Sequence, residues 1–422
     1  MTTMMPLLQC FLFLIPFQWA LSPVAGIDLP VIRVFSLGII GVWFWNGLLQ
    51  KRLFVVWNIQ SGFLFSFWFL VGISMVYAPQ ENWAFRKLLF LFSFLPLSLV
   101  FVDVISQDRR RAMVLVKSLV LGATGSALVG ILQFMSQFVV PLESLFSWWT
   151  GSLLPLFLGD TFARVVAEYP SLLVNLSGKT VLRASALFPD PHMHAFFLGL
   201  VLPLACWIAW YKRTILWGVV AVLIGVADIL TFSRGAYLGM ALAVLVGVVL
   251  FVPTMEARAK KNVFLIVFLL GIVVMVPNPI AYRFQSGFSS DDGSVATRVV
   301  LFQEALTHIR ENPWLGVGLG NYPLTVKPDA LEREPIYVHN LWLDIAVEMG
   351  LIAAVFFAGY FLRSLWVLYA QWQRKRDGFS LALFFSLVLF LGHSMVDTPI
   401  FSVHVLPVLL LVLAIGTIPY ET

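Results

Sequence analysis

Residues 298–350 read RVVLFQEALTHIRENPWLGVGLGNYPLTVKPDALEREPIYVHNLWLDIAVEMG, the longest polar interval of an otherwise apolar chain. The interval begins with a helix-like run at Arg298, passes a turn rich in glycine from Gly316 to Gly320, and reaches His339-Asn340. Another long apolar segment follows at once. A polar segment that delivers a histidine to the mouth of an apolar helix indicates a reaction site at a membrane surface.

The composition around this interval is that of a membrane protein. The 422 residues are 60% hydrophobic and 12% charged, whereas soluble domains carry about 25% charged residues. Apolar runs of about 18 or more residues recur along the chain, a length that predicts membrane-spanning helices. Strands of a membrane barrel alternate apolar and polar residues, and these runs do not. We therefore predict an all-α fold, a single polytopic membrane domain over residues 1–422.

The apolar runs predict about twelve spans. Their expected ranges are 5–25, 31–49, 54–77, 86–106, 112–140, 191–211, 214–232, 235–253, 262–277, 340–371, 379–396 and 399–417.

Clusters of Lys and Arg predict the orientation of these spans. When twelve spans are threaded, five clusters fall on one side: Lys51-Arg52, Arg109–Arg111, Lys212-Arg213, Arg258–Lys261 and Arg374–Arg376. The excess of positive charge in cytoplasmic loops places that side, and both termini, in the cytoplasm. Arg86-Lys87 is the one exception.

Two long polar intervals then lie on the external face. Residues 141–190 contain Trp148-Trp149 and apolar neighbours through Leu158, which predicts a helix lying in the membrane interface. Residues 278–339 carry five Lys or Arg and seven Asp or Glu, and we expect them to form a large external catalytic loop between spans nine and ten.

Several classes of function are disfavoured by the sequence. A net charge of +5 on a membrane protein is no sign of nucleic-acid binding. Cys10 and Cys206 lack the spacing of a zinc site or a redox pair. Because P-loop, dinucleotide, D-x-D, HExxH and G-x-S-x-G motifs are all missing, we predict a site with no metal and no cofactor.

Three arginines are candidate anion-binding residues. Arg234 lies in the short turn Thr231–Gly235 between two apolar runs, where a charge is costly unless it faces a partner or a polar cavity. Arg183 and Arg298 lie in loop-like settings on the same predicted face. The planar guanidinium binds phosphate oxygens in bidentate fashion. The alternatives are a snorkelling Arg234 that ends a helix and ordinary surface positions for the other two.

His339 is the candidate general base, because an imidazole titrates near neutral pH. The alternative is a structural histidine at a helix start, and Asn340 either orients a ligand or caps that helix. Asp397, four residues after His393, is a candidate supporting carboxylate. Asp228 is a candidate partner for Arg234. Asp344 and Glu348 share one helix face that points away from His339.

Five segments in the second half of the chain carry a resemblance to a known family. They are RASALFPDPHMHAFFLGLVLPL (183–204), TFSRGAYLGM (231–240), RVVLFQEALTHIRENPWLGVGLGNYP (298–323), VHNLWLDIAVEMGLI (338–352) and HSMVDTPIF (393–401). In this order they resemble the O-antigen ligase and polymerase family of bacterial inner-membrane proteins. Two positions depart from the family pattern: Ala186 stands in place of Gly, and Pro191-His192 in place of Pro-Asn.

The resemblance implies a GT-C-like membrane glycosyltransferase whose donor is a glycan linked to polyprenyl pyrophosphate. His339 would activate the acceptor hydroxyl, Arg234 and Arg298 would bind the donor pyrophosphate, and Arg183 would assist them. Asn340 and Asp397 would support the site. The implied location is the inner membrane, with the site on the periplasmic face and transfer inverting the anomeric centre.

The motifs leave the acceptor open. A ligase transfers the glycan to a sugar hydroxyl of lipid A–core, a polymerase to a second lipid-linked repeat unit, and a protein O-oligosaccharyltransferase to protein. The alternative from another class is a transporter or flippase. Transporters place ionisable residues near the bilayer midplane and contain internal repeats, whereas the candidates here gather at one external rim and no repeat is visible, which favours the enzyme.

Overall fold

The computed structural model describes residues 4–24, 27–168, 170–176, 178–258, 260–261, 263–265, 278, 281–283, 293–330 and 336–418. These residues are mostly helical. The helices, labelled in chain order, are α1 Met4–Leu14, α2 Val31–Leu49, α3 Ile59–Val76, α4 Glu81–Phe92, α5 Leu97–Gln107, α6 Arg110–Ser136, α7 Leu142–Trp148, α8 Leu154–Leu158, α9 Asp160–Glu168, α10 Pro191–Lys212, α11 Ile215–Leu230, α12 Arg234–Phe251, α13 Gly293–Glu311, α14 Tyr322–Val326, α15 Leu341–Lys375, α16 Gly378–Ser394 and α17 Leu406–Thr417. Two antiparallel hairpins pair β1 Ala20–Val24 with β2 Ile27–Pro30, and β3 Leu173–Leu176 with β4 Lys179–Leu182.

The helical, apolar architecture agrees with the predicted all-α polytopic membrane fold. In the described part of the chain, seven helical stretches are long and apolar enough to cross a membrane: α2, α3, α4 with α5, α6, α10, α12 and α15. Shorter apolar helices are α1 with the turn after it, α11, α16 and α17. Every predicted span contains one of these helices except 262–277, which lies almost entirely outside the described residues. The count of twelve stays a prediction.

Three predicted spans differ from the helices found. The first span was expected at residues 5–25, but helical structure ends at Phe17 and β1 follows, pairing with β2. The span 86–106 is two helices, α4 and α5, joined by a turn that contains Pro96, whose ring disfavours an unbroken helix. The span 340–371 is interrupted at Gly350, where φ is 87° and ψ is 164°.

The break at Gly350 allows the turn from Gly316 to Gly320 to pack against α15. Because the helix is interrupted, the carbonyls of Val347 and Glu348 accept hydrogen bonds from Val317 N at 2.8 Å and Gly318 N at 3.1 Å. The turn rich in glycine was expected to let backbone approach a bound group. It instead lies against α15, since a Cβ on Gly316 would come within 2.5 Å of the Glu348 carbonyl carbon.

A buried ion pair ties α4 to the same region. Lys87 Nζ lies 2.5 Å from Glu348 Oε2, and both side chains are almost completely buried. Glu348 Oε2 also accepts a hydrogen bond from Gly320 N at 3.0 Å, and Lys87 Nζ lies 3.6 Å from the centre of the Phe401 ring. Lys87 is therefore an internal partner rather than an exposed charge, which accounts for its departure from the predicted charge asymmetry.

The predicted external interval 141–190 contains ordered structure. A π-helical turn over Trp149–Leu153 joins α7 to α8, α9 follows, and the β3–β4 hairpin leads to α10. Trp149 is buried in a small apolar cluster with Leu145 and Leu154, whereas Trp148 is exposed. The location of this helix in the membrane interface stays a prediction.

Helix caps mark the two ends of the bundle. Asp190, Ser233 and Asn340 are N-caps of α10, α12 and α15, each accepting backbone N–H bonds at the start of its helix. At the opposite end, α10 and α15 terminate at Arg213 and Arg376, both with φ of 50°. Basic residues there complement the negative ends of the helix dipoles. Helix α16 packs between α10, α12 and α15 and links the two ends.

Candidate active site

His339 and Asp397 meet where α15 begins and α16 has ended. Their Nδ1 and Oδ1 atoms are hydrogen-bonded at 3.3 Å. The carboxylate side chain is 10% exposed and the imidazole 37% exposed, so the imidazole keeps an open edge. Among the described residues no hydrogen bond reaches its Nε2. A histidine bonded through Nδ1 presents Nε2 as its proton acceptor.

The backbone around His339 is held in an uncommon conformation. Its φ is 57°, a region that non-glycine residues rarely occupy. Asp344 fixes the preceding residue by accepting a hydrogen bond from Val338 N at 3.0 Å, and it also accepts one from the hydroxyl of Thr398. Helix periodicity predicted that Asp344 points away from His339. It makes no direct contact with the imidazole, yet it holds the neighbours of both His339 and Asp397.

Asn340 acts as a helix cap in the structure. Its Oδ1 accepts hydrogen bonds from Trp342 N at 3.0 Å and Leu343 N at 3.1 Å. Its Nδ2 donates to the Met395 carbonyl at 2.9 Å. Of the two alternatives from the sequence, capping is the one observed, and the amide also ties the start of α15 to the end of α16.

The charges around this pair shift both pKa values. Burial lowers the pKa of His339, but the hydrogen bond and the negative charge of Asp397 outweigh burial, so the pKa lies above its ordinary value. Burial raises the pKa of Asp397, but the hydrogen bond from His339 and nearby positive charges, including Arg298, hold it well below its usual range. Asp397 is therefore a carboxylate at neutral pH and stabilises an imidazolium at His339.

Two further histidines join the site. His192 Nδ1 lies 3.8 Å from Asp397 Oδ2 and 3.0 Å from Ser233 Oγ. Ser233 Oγ lies 3.1 Å from His393 Nε2. In the sequence, His192 stands out only as a departure from the family pattern, and His393 only as a neighbour of Asp397. A polar side chain directly after the Pro191 helix start was the available signal for His192.

Arg183 is a buried structural contact rather than an exposed loop residue. Only 2% of it is exposed. Its Nε donates to the Thr231 carbonyl at 2.6 Å and its Nη1 to the Ser171 carbonyl at 2.8 Å. Burial, followed by the positive charge of Arg283, lowers the pKa of Arg183 to about 9, so it stays charged at neutral pH. The alternative of a surface position is wrong for Arg183.

Arg298 and Arg234 are the more accessible arginines, and both are half-buried. The positive charge of Arg298 opposes protonation of His339 and favours the ionised form of Asp397. Arg234 begins α12, immediately after Ser233, and its charge also contributes to the lowered pKa of Arg183.

Arg283 adds a fourth guanidinium that the sequence analysis did not single out. Its Nε donates to the Phe232 carbonyl at 3.3 Å, which places it beside the turn that carries Arg234. Arg298 acts on the His339–Asp397 pair. The charges of Arg283 and Arg234 act on Arg183. A concentration of fixed positive charge at the edge of a low-dielectric bundle suits a polyanionic group.

The predicted pairing of Asp228 with Arg234 is not found in the described part of the structure. Asp228 is buried within α11, and its Oδ1 has no hydrogen-bond partner there. It instead lines a small pocket together with His393 and apolar residues of α10, α12 and α16.

One group of side chains has the spacing of a metal site. The donor atoms of His192, His393 and Asp397 lie within 4.8 Å of one another. Ser233 already hydrogen-bonds both imidazoles. The charge of Arg183 acts on both imidazoles, and the charge of Arg298 acts on all three side chains. Because guanidinium groups beside a cation are repulsive, we assign no metal to these residues.

The arrangement has the parts of a base-assisted displacement. It offers an imidazole with one exposed edge, a carboxylate that stabilises the protonated imidazole, and cations for an anionic leaving group.

A family profile described as O-Antigen ligase matches residues 219–358. The matched range includes Arg234, Arg298, His339 and Asn340, and it ends before Asp397. No curated protein matches the sequence.

Proposed function

Because residues 219–358 match the O-Antigen ligase profile, we propose that the chain is a ligase of that family, which moves a glycan from a polyprenyl-pyrophosphate carrier to a sugar hydroxyl of a lipid A–core acceptor. The family supports a membrane enzyme of the O-antigen ligase or polymerase type, with lipid-linked glycans as its class of substrate. It also favours transfer chemistry over the transporter alternative.

The convergence of His339, Asp397 and Arg298 carries this proposal. The imidazole and carboxylate are in contact at 3.3 Å, and the Arg298 charge acts on both. These residues come from three segments that the chain separates widely: Arg298 lies in α13, His339 just before α15, and Asp397 shortly after α16. A base beside an anion-binding cation is what transfer from a pyrophosphate leaving group requires.

The reaction is a single displacement at the anomeric carbon of the donor. His339 Nε2 accepts the proton of the acceptor hydroxyl as that oxygen forms a bond to the anomeric carbon. The bond from this carbon to the phosphate oxygen breaks, and the pyrophosphate leaves with the electron pair on its polyprenyl carrier. Attack opposite the leaving group inverts the anomeric centre. Asp397 stabilises the imidazolium that results.

Arg234 and Arg298 bind the donor pyrophosphate in this proposal, because they are charged and partly accessible. Negative charge grows on the leaving group in the transition state, so fixed guanidinium groups lower the barrier. Arg183 is too deeply buried to grip a phosphate without rearrangement, and it assists by holding the turn that carries Arg234. The site is proposed to need neither metal nor cofactor.

We further propose that the site faces the periplasm, with residues 278–339 as the external catalytic segment of a twelve-span, GT-C-like domain in the inner membrane. Support comes from the two ends of the bundle. The site lies where α10, α12 and α15 begin, whereas basic residues Arg213 and Arg376 end α10 and α15 at the opposite end. The positive-inside rule places those basic ends in the cytoplasm, together with both termini.

Reconstitution of the purified protein tests this function. The donor is a glycan on polyprenyl pyrophosphate, and the acceptors are lipid A–core, a second lipid-linked repeat unit and a peptide. Single attachment to lipid A–core is expected. Growing chains on the lipid carrier would instead identify a polymerase, modified peptide a protein O-oligosaccharyltransferase, and no transfer to any acceptor would refute the proposal.

His339→Ala is the first variant for this assay, and His308→Ala is its matched control. His308 lies in the same external segment and pairs with Glu311 at 3.1 Å. We expect His339→Ala to abolish transfer while donor binding persists, and His308→Ala to retain it. Undiminished transfer by His339→Ala would remove that residue from the mechanism.

A further inference from the structure

His192 has contacts that the proposed reaction does not use. Its imidazole meets a guanidinium on one side, with Arg183 Nη1 at 3.5 Å from Nε2. On the other side, Nδ1 faces Ser233 Oγ at 3.0 Å and Asp397 Oδ2 at 3.8 Å. The ring therefore lies between a cation and the carboxylate that contacts the proposed base.

These neighbours determine which nitrogen of His192 carries the proton. A guanidinium can only donate hydrogen bonds, so Nε2 must accept from Arg183. The proton of the neutral ring is then on Nδ1, directed at Ser233 and Asp397. The Ser233 hydroxyl in turn can donate to His393 Nε2 at 3.1 Å. Every polar contact between these groups then has one donor and one acceptor.

The two oxygens of Asp397 have different neighbours. Oδ1 accepts from His339 Nδ1 at 3.3 Å and from Thr398 N at 2.9 Å. Oδ2 faces the Nδ1–H of His192. A distance of 3.8 Å is longer than a hydrogen bond, so the attraction is electrostatic. The site excludes much of the water that would screen it, because Asp397 is 10% exposed and His192 19%.

We propose that His192 is a positioning residue for glycan transfer: it holds the Asp397 carboxylate so that its other oxygen faces His339. This inference rests on the proposed role of His339 as the base. It gives Arg183 a second task, since the guanidinium sets the tautomer of His192. The order of contacts is Arg183, His192, Asp397 and His339, and only the last would touch the substrate.

The experiment compares His192→Asn with His192→Leu in the reconstituted transfer assay. The asparagine amide keeps an N–H near the position of Nδ1, whereas leucine has similar bulk and no hydrogen-bond donor. We expect His192→Leu to lower kcat by about 10- to 100-fold, by analogy with outer residues that orient metal-binding side chains, with little change in the KM for the glycan donor. His192→Asn is expected to restore most of the activity.

The pH profile distinguishes positioning from a general structural role. The charged groups that face His339 are Asp397, Arg298 and Asp344. Without the N–H of His192, the Asp397 carboxylate is no longer held toward His339 and raises the pKa of His339 less. The rising limb of kcat against pH should therefore move to lower pH in His192→Leu and stay in place in His192→Asn.

Controls separate this proposal from the function on which it rests. Transfer by the wild type and none by His339→Ala establish the function, whatever the His192 variants do. Each variant is compared only if it elutes as a single folded species and has the same unfolding temperature as the wild type. If His192→Leu does not fold, His192→Gln replaces it, because its longer side chain moves the N–H away from the Nδ1 position. The proposal is overturned if kcat and the pH profile are unchanged in His192→Leu, or in His192→Gln where that variant replaces it. It is also overturned if that variant and His192→Asn lose equal activity.

Discussion

Asp397 hydrogen-bonds His339 across 58 residues of chain, with 3.3 Å between Oδ1 and Nδ1. The contact joins the first residues before α15 to the turn after α16. These two helices pack side by side and run in opposite directions, so the start of one and the end of the other share one end of the bundle. Asp397 raises the pKa of His339 and Arg298 lowers it, so replacing these two residues should shift the pH profile of transfer in opposite directions.

Replacing Asp397 by Asn removes the negative charge but keeps the shape of the side chain. Since Asp397 raises the pKa of His339, that pKa should fall in the variant. The rising limb of kcat against pH should move to lower pH. Because the imidazolium loses its stabilising carboxylate, maximal kcat should fall by about 100-fold or more. Asp329→Asn, at an exposed position between α14 and α15, is the control. An unchanged pH profile in Asp397→Asn would contradict the assignment.

Replacing Arg298 by Gln should move the pH profile in the opposite direction. The charge of Arg298 opposes protonation of His339, so its removal should raise the pKa of His339 and shift the rising limb to higher pH. Loss of a charged contact to phosphate, worth about 1.5–3 kcal/mol, should also lower kcat/KM for the donor by about 10- to 100-fold.

Arg298→Lys separates the two effects of that arginine. Lysine keeps the positive charge, so the pH profile should stay near that of the wild type. It lacks the planar fork that binds two phosphate oxygens together, so the defect in donor use should remain. Equal behaviour of Arg298→Lys and Arg298→Gln in both measurements would argue against a phosphate contact.

The sequence predicted the residues that stand out against an apolar background. His339 and Arg234 are conspicuous because a charge or an imidazole beside a membrane helix costs free energy unless it has a partner or faces a polar cavity. The helical fold follows from the length of the apolar runs. His192 and Arg283 were missed because each lies in a segment already polar, where one more polar residue carries little signal. Their contacts with Asp397 and Phe232 depend on how the helix ends pack.

The sequence also gave no indication of the contacts that interrupt the spans. Glu348 and Lys87 are 261 residues apart, and no local pattern predicts that one neutralises the other. Gly350 lies in an apolar run that reads as continuous helix, and its break depends on backbone groups of residues 313–318 that dock there. Periodicity predicts helices from their own residues, whereas these features come from partners far along the chain.

The Lys87–Glu348 pair should show strong coupling in stability. Lys87→Met leaves a buried carboxylate without its cation, which costs about 3–5 kcal/mol, and should lower the unfolding temperature in detergent. The double variant Lys87→Met/Glu348→Gln removes both charges and keeps an amide oxygen for Gly320 N. It should recover most of the loss, because a neutral pair no longer needs mutual compensation. Additive losses would mean that the two residues are not coupled.

Gly350→Ala should destabilise the protein and displace the turn that contains Gly316. The backbone at residue 350 has φ of 87° and ψ of 164°, a region that is essentially restricted to glycine and costs other residues about 1–3 kcal/mol. An added Cβ would also collide with the Trp314 carbonyl. Gly38→Ala is the matched control, since that helical glycine has nothing within 4 Å of the added carbon. We expect a clear fall in unfolding temperature for Gly350→Ala and little change for Gly38→Ala.

The break at Gly350 also sets the direction of residues 341–349, which carry Asp344 and follow His339. The kcat of transfer should therefore fall in the fraction of Gly350→Ala that remains folded. A Gly350→Ala protein with normal stability and normal transfer would mean that α15 can run straight without moving the site.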